Sequence, residues 1–164
     1  MSIERARAWL TARGVDPARI LELSVSSATV ELAAKALNCA PERIAKSLAL
    51  RLIGSAGDGV LLVVAAGDAR LDNAKYKARF GCKPKMLGHE EAAAEIGHAV
   101  GGVCPFGVNP GVEVWLDGSL RRFATVFPAA GSSNSVIELT LQELETLSCA
   151  KGWVDVCRLP EASA

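Results

Sequence analysis

In "RIAKSLALRLI", residues 43–53, apolar and polar positions alternate so that Leu48, Leu50 and Leu52 fall on one side of an extended chain. A second apolar segment, "VLLVVAAG", starts at Val60. Only "GSAGDG" separates the two, so the pair reads as a β-hairpin. Helical spacing precedes it. A first helix is expected from about Ile3 to Ala12, with Gly14 just past its end, and a second from Val30 to Leu37 behind Ser and Thr cap candidates. Pro41 suits the first turn of a short helix leading to Ile44.

Downstream, "NAKYKARFG" and "HEEAAAEIG" read as helices with a short strand, "KPKML", between them. "VEVWLDG" and "RRFATVF" are expected to make another hairpin around Asp117 and Gly118. The loop "PAAGSSNS" leads to a strand "VIEL". Thr140 and Glu143 then have capping-box spacing in front of the helix "LQELETL", and "GWVDVCRL" reads as a closing strand. The expected fold is α+β, a mixed, curved sheet with helices packed around it. No repeat, linker or low-complexity tract divides the chain, so residues 1–164 are expected to form a single domain.

Composition narrows the function classes. Half of the residues are hydrophobic and 22% are charged, which argues against disorder. No apolar run approaches the roughly 20 residues of a membrane-spanning helix. The opening "MSIERARAWLTARG" reads as an amphipathic helix rather than a signal peptide, so no membrane partner and a cytoplasmic location are expected. The 5 cysteines form no C-x-x-C pair, so reduced, mostly buried thiols are expected.

Lys plus Arg and Asp plus Glu number 18 each, and the balance predicts no nucleic-acid partner. The distribution is less even. "NAKYKARFGCKPKML", residues 73–87, carries Lys75, Lys77, Arg79, Lys83 and Lys85 without one acid. Two readings compete: a solvated helix face followed by a strand, or an anchor for phosphates.

Three places carry candidate chemistry. Lys46 shares the parity of Leu48, Leu50 and Leu52, and a lysine on a core-facing position must find an anion, lose its charge or snorkel to water. In "GHAVGGVCPFGVNPG", residues 97–111, Gly101 and Gly102 expose backbone N–H groups fitted to a phosphate or an oxyanion. The competing role is a tight strand entry plugged by Pro105 and Phe106. "GSSNS", Gly131 to Ser135, is either a turn or the lining of a small polar pocket. Cys104 with His98 suggests a thiol nucleophile and its base, although a packed cysteine is the commoner case. His89, His98 and Cys104 match no metal-ligand spacing, and no metal is expected.

Taken in order, "RIAKSLAL", "LLVVAAGDARLDNAKYK", "GHAVGGVCPFG", "VEVWLD" and "AAGSSNSVIEL" resemble the YbaK/ProX superfamily of aminoacyl-tRNA editing domains, from about Thr29 to Trp153. That superfamily includes free-standing relatives of the editing domain of bacterial prolyl-tRNA synthetases. The resemblance implies a barrel-like sheet surrounded by helices and a trans-editing hydrolase. Its reaction would be deacylation of mischarged aminoacyl-tRNA, above all tRNA(Pro) carrying a small wrong amino acid such as Ala or Cys. It maps the signature lysine onto Lys46, the glycine loop onto Gly101 and Gly102, and a second pocket loop onto Gly131, Ser132, Ser133, Asn134 and Ser135. Val103, Pro105 and Phe106 belong with the substrate-binding set, and Lys75, Lys77, Arg79, Lys83 and Lys85 with tRNA binding. No cofactor is implied; the partners would be the acceptor end of aminoacyl-tRNA and a prolyl-tRNA synthetase. The alternatives are a non-catalytic tRNA- or nucleotide-binding module on the same fold and a hydrolase working through Cys104.

Overall fold

The structure, a computed structural model, describes residues 2–53, 59–98 and 101–160. Its centre is an antiparallel pair: β2 (Ile44–Leu52) runs against β3 (Gly59–Ala66), in register from Ala45 opposite Ala66 to Leu52 opposite Gly59. The turn expected at "GSAGDG" lies almost wholly outside the described residues. Leu61 to Ala66 are fully buried because β3 is interior to the sheet and covered on both faces. Leu50 is also fully buried, while Leu48 and Leu52 pack against the core only in part.

Strands β5 (Glu113–Asp117), β6 (Thr125–Pro128), β8 (Leu139–Thr140) and β9 (Gly152–Val154) complete a curled half-barrel in the order β8-β6-β2-β3-β5-β9. Two short antiparallel pairs flank it: β1 (Ile20–Glu22) with β7 (Ser135–Ile137), and β4 (Arg70–Leu71) with β10 (Cys157–Arg158). Around the sheet lie α1 (Ser2–Ala12), α2 (Val30–Leu37), α3 (Asn73–Phe80), α4 (His89–Ile96) and α5 (Leu141–Leu147). This is the mixed α+β architecture that the sequence predicts.

Local signals set the helix ends. The Thr29 hydroxyl accepts from the Leu32 N–H at 3.2 Å to start α2, and Asn38, left-handed at φ 53°, ends it. In α5 both capping-box bonds form, Glu143 N–H to Thr140 Oγ1 at 3.1 Å and Thr140 N–H to Glu143 Oε1 at 3.0 Å. α1 buries Ala6 and Leu10, four residues apart and so on one helix face.

Five sequence expectations are corrected. β5 and β6 make no hairpin: residues 118–122 form a 3₁₀ turn, β5 pairs in parallel with β3 and β9, and β6 pairs with β2 and β8. The cause is Asp117, whose buried carboxylate accepts from the N–H of Ser119 and of Val156, both at 2.9 Å, and so starts a helical turn instead of a tight reversal. "KPKML" contributes only a bridge from Met86 to Leu50. "VIEL" breaks at Glu138 and "GWVDVCRL" at Asp155–Val156, where each chain leaves one sheet for another. Of the five cysteines, all free, only Cys104 and Cys157 are buried.

Candidate functional site

A cavity of about 260 Å³ opens between α2 and the face of the half-barrel. Its floor is Ile44 to Ser47 and Ala49 of β2; Thr29, Val30 and Ala33 form one wall, and Gly101 with Val103 another. Phe127, Ala129 and Val136 close the end, and Met86, Leu87 and His89 the rim. Alanines at 33, 45, 49 and 129 leave the space that larger side chains would fill. The walls are mostly apolar, with few polar groups, as ligand sites generally are.

Lys46 is the cation of this cavity. Its Nζ donates to the carbonyl oxygens of Ala69 at 2.5 Å and Gly67 at 3.3 Å, in the turn between β3 and β4. An ammonium has three N–H donors, so one is left for a ligand. Half-burial pushes the Lys46 amine below its ordinary pKa, a shift opposed by neighbouring Cys157 and Asp68. The turn that grips it is itself braced. Gly67 presses so closely on Pro41 O and Val30 that no Cβ would fit. Asp68 accepts from the two terminal nitrogens of the Arg122 guanidinium, at 3.0 and 2.5 Å, and the Ala66 N–H donates to Ser119 Oγ at 3.1 Å. None of Gly67, Asp68, Ser119 or Arg122 was a sequence candidate; "AAGDAR" was the visible signal for Gly67 and Asp68, and Ser119 and Arg122 had none.

The two glycine loops meet behind the cavity wall. Gly101, left-handed at φ 82°, lies so that an added Cβ would sit 3.1 Å from Ser133 Cβ and 3.2 Å from Ala28 Cβ. A Cβ on Gly102 would meet the Gly131 carbonyl carbon and the Ser132 nitrogen at 2.6 Å, which only glycine avoids. Among the described residues no acceptor takes the N–H of Gly101 or Gly102. Gly102 and the loop 131–135 back this wall and are absent from the cavity lining, which Gly101 and Val103 supply. Its Ser132 hydroxyl bonds Asn134 Oδ1 at 2.9 Å and Ser135 Oγ at 2.6 Å, Asn134 Nδ2 donates to Leu23 O, and Ser133 O accepts from the Ser27 N–H at 2.6 Å. Pro105 and Phe106 are buried away from the cavity, whereas Val103 lines it.

Cys104 and His98 are neighbours, Sγ to Nε2 at 3.6 Å, but they do not form a nucleophile–base pair. The Phe106 carbonyl, 2.6 Å from His98 Nε2, can only accept, so Nε2 carries the proton and Nδ1 accepts from the Ser2 hydroxyl at 2.7 Å. Burial holds His98 below its ordinary pKa and therefore neutral. Complete burial pushes the Cys104 thiol up to about 12, so no thiolate is available. Among the described residues no group of three His, Cys, Asp or Glu is placed to hold a metal ion.

The basic stretch divides. Lys75 is committed to Asp155 at 3.0 Å and to the Cys157 carbonyl at 3.0 Å. Arg79 lies over the rings of Trp115 and Phe80, and Lys77 is exposed. Lys83 and Lys85 are exposed just before Met86, at the cavity rim.

The aminoacyl-tRNA editing domain family matches residues 25–147, and the chain belongs to that family. Over 139 residues it is 52% identical to the uncharacterized protein YwhH of Bacillus subtilis (strain 168), covering 85% of this chain and 87% of that one. Its fold is similar to the crystal structure of a protein provisionally assigned as a trans-editing enzyme for prolyl tRNA synthetase, with 30% identity, a TM-score of 0.81, and 96% and 97% of the two chains covered. The crystal structure of hypothetical protein APE2540 is similar at a TM-score of 0.80 and 29% identity, covering 94% of this chain and 99% of that one. No helix among the described residues is long and apolar enough to cross a membrane.

Proposed function

We propose that the protein is a trans-editing hydrolase, acting in the cytoplasm, that deacylates mischarged aminoacyl-tRNA, with tRNA(Pro) carrying a small amino acid such as Ala or Cys as its substrate. The observation that carries this reading is the cavity of about 260 Å³ shared by Lys46, Gly101 and Val103 in a chain of the editing family. The aminoacyl group enters the alanine-walled space, which favours small, weakly polar side chains. The third N–H of Lys46 takes the terminal phosphate or ribose. Water, or a hydroxyl or thiol of the substrate itself, attacks the ester carbonyl. As the bond from carbonyl carbon to ribose oxygen breaks, that oxygen leaves as a hydroxyl after receiving a proton; with water as the nucleophile the amino acid departs as the free acid.

The tetrahedral oxyanion needs donors, and the Gly101 and Gly102 N–H groups, without an acceptor among the described residues, are suited to supply them. The second loop, 131–135, acts by holding Gly102 in place rather than by touching the acyl group. Editing suits so small a space: a synthetase gains only about 1–3 kcal/mol per methylene, too little to reject smaller amino acids, so a second site removes what fits. Lys83 and Lys85 at the rim would attract the acceptor stem, and a prolyl-tRNA synthetase would be the source of the substrate.

The test is a panel of aminoacyl-tRNAs built on the proline tRNA, each scored for deacylation with and without the protein. Faster release of alanyl or cysteinyl than of prolyl groups is expected. Tight RNA binding with no release of any amino acid would leave the non-catalytic module instead. Cys104→Ser should retain activity; its inactivation with an intact fold would restore the thiol mechanism.

A further inference from the structure

Two arginines outside the basic stretch stand opposite each other beside the turn that holds Lys46. In the β4–β10 ladder Arg70 pairs with Arg158 and Leu71 with Cys157. Cys157 is buried and Leu71 packs against the core, so strand alternation sends both arginines outward, where they are exposed. Directly opposed residues on antiparallel strands have Cβ atoms about 4.5–5.5 Å apart, and like charges placed so are destabilising. Among the described residues neither guanidinium has an ion-pair or hydrogen-bond partner. Two acids of this region are already engaged, Asp68 by Arg122 and Asp155 by Lys75. Asp72, the N-cap of α3, accepts from the Lys75 N–H at 3.0 Å and acts on Arg158 only through space, its carboxyl held below the ordinary range first by that N–H and, more weakly, by the Arg158 charge. Ala69, whose carbonyl binds the Lys46 amine, is the residue before Arg70.

A repulsive pair kept at the edge of a site is relieved when an anion bridges it. Guanidinium groups meet phosphate oxygens in a two-pronged geometry that lysine cannot reproduce. We propose that Arg70 and Arg158 form a clamp for the phosphate backbone of the RNA strand whose acylated 3′ end occupies the cavity. Lys46 engages the terminus, and the arginine pair engages the phosphates of the nucleotides before it. This rests on the editing reading and adds a second strand contact, separate from that of Lys83 and Lys85.

The test uses Arg70→Gln, Arg158→Gln and the double variant. An uncharged RNA hairpin with a single-stranded 3′ tail serves as the binding probe, and deacylation of one mischarged tRNA as the kinetic readout. The double variant should bind on the order of tenfold more weakly at low salt. Its log affinity against log salt slope should fall by about 1.4, from about 0.7 per phosphate contact on a single strand. KM should rise with kcat unchanged, and the melting temperature at low salt should hold or increase, since repulsion has been removed. Wild-type affinity and slope in the double variant, alongside normal turnover, would overturn the clamp and leave the editing reading intact. A lower melting temperature with an unchanged slope would likewise overturn it, by making the pair structural. A wild-type protein that neither binds the hairpin nor releases any amino acid would overturn the editing reading itself.

Discussion

Replacing Lys46 by methionine keeps the aliphatic stem in the cavity and removes the charge. The amine makes two hydrogen bonds to carbonyls, at 2.5 and 3.3 Å, and bonds of a charged donor contribute roughly 1.5–3 kcal/mol each. Half-burial of the ammonium offsets much of that, because it disfavours the charged form of the amine. We therefore expect a net loss of about 1–2 kcal/mol, or roughly 3–6 °C in Tm for a chain of this size. Deacylation should fall far more, on the order of 10²-fold, the loss expected when the group that positions the substrate is removed and the ester is misplaced by about 1 Å. The pH dependence supplies a second check. Lys46 sits below the ordinary 10.5 in the folded protein because burial disfavours its charged form. The unfolded chain therefore binds more protons between the lowered value and 10.5, and stability rises with pH across that window. Lys46→Met should flatten that rise. Wild-type kcat/KM in a folded Lys46→Met protein would refute the catalytic placement, and a melting temperature lowered by tens of degrees would show the lysine to be a structural tie.

Gly102→Ala should cost about 1–3 kcal/mol and most of the activity, because the new methyl must push the 131–132 backbone away; thermal melts and deacylation rates that match the wild type would contradict the packing. Glu143 is held at about 2, below its ordinary 4.5, first by Arg19 and then by the Thr140 N–H. Its contribution is present above pH 4.5 and disappears as pH falls through about 2. Glu143→Gln should then lose at most about 1 kcal/mol at neutral pH, since the pair is about a third exposed, and the difference from wild type should vanish in urea melts at low pH. Neutralising Lys83 and Lys85 should weaken tRNA binding and reduce its salt dependence, measured by titration at several ionic strengths; identical slopes would make those charges a solvated face.

What the sequence discloses here is whatever neighbours in the chain decide. The bounds of α2 and the Thr140–Glu143 capping box follow from side chains three or four residues apart. The β2–β3 pairing follows from alternation and one short turn. The hairpin expected at Asp117 failed because its carboxylate is claimed by Val156, 39 residues away. The partners of Lys46 were equally out of reach: they are backbone carbonyls at 67 and 69, and no side-chain pattern records a carbonyl's position. For the same reason Gly102 was legible as bare backbone but not as the residue on which Gly131 rests, and Phe106 looked like a pocket wall when it is core.

The cavity is lined by five stretches of the chain, around residues 27–33, 44–49, 86–92, 101–103 and 127–136. The pairing of β2 with β3 beside it is local, but β2 waits for β6, more than eighty residues later, and β3 for β5. Closing such long loops is the slow part of folding. The refolding chain should thus regain its far-ultraviolet dichroism before it regains turnover, because the catalytic hollow exists only once the last distant segment has arrived.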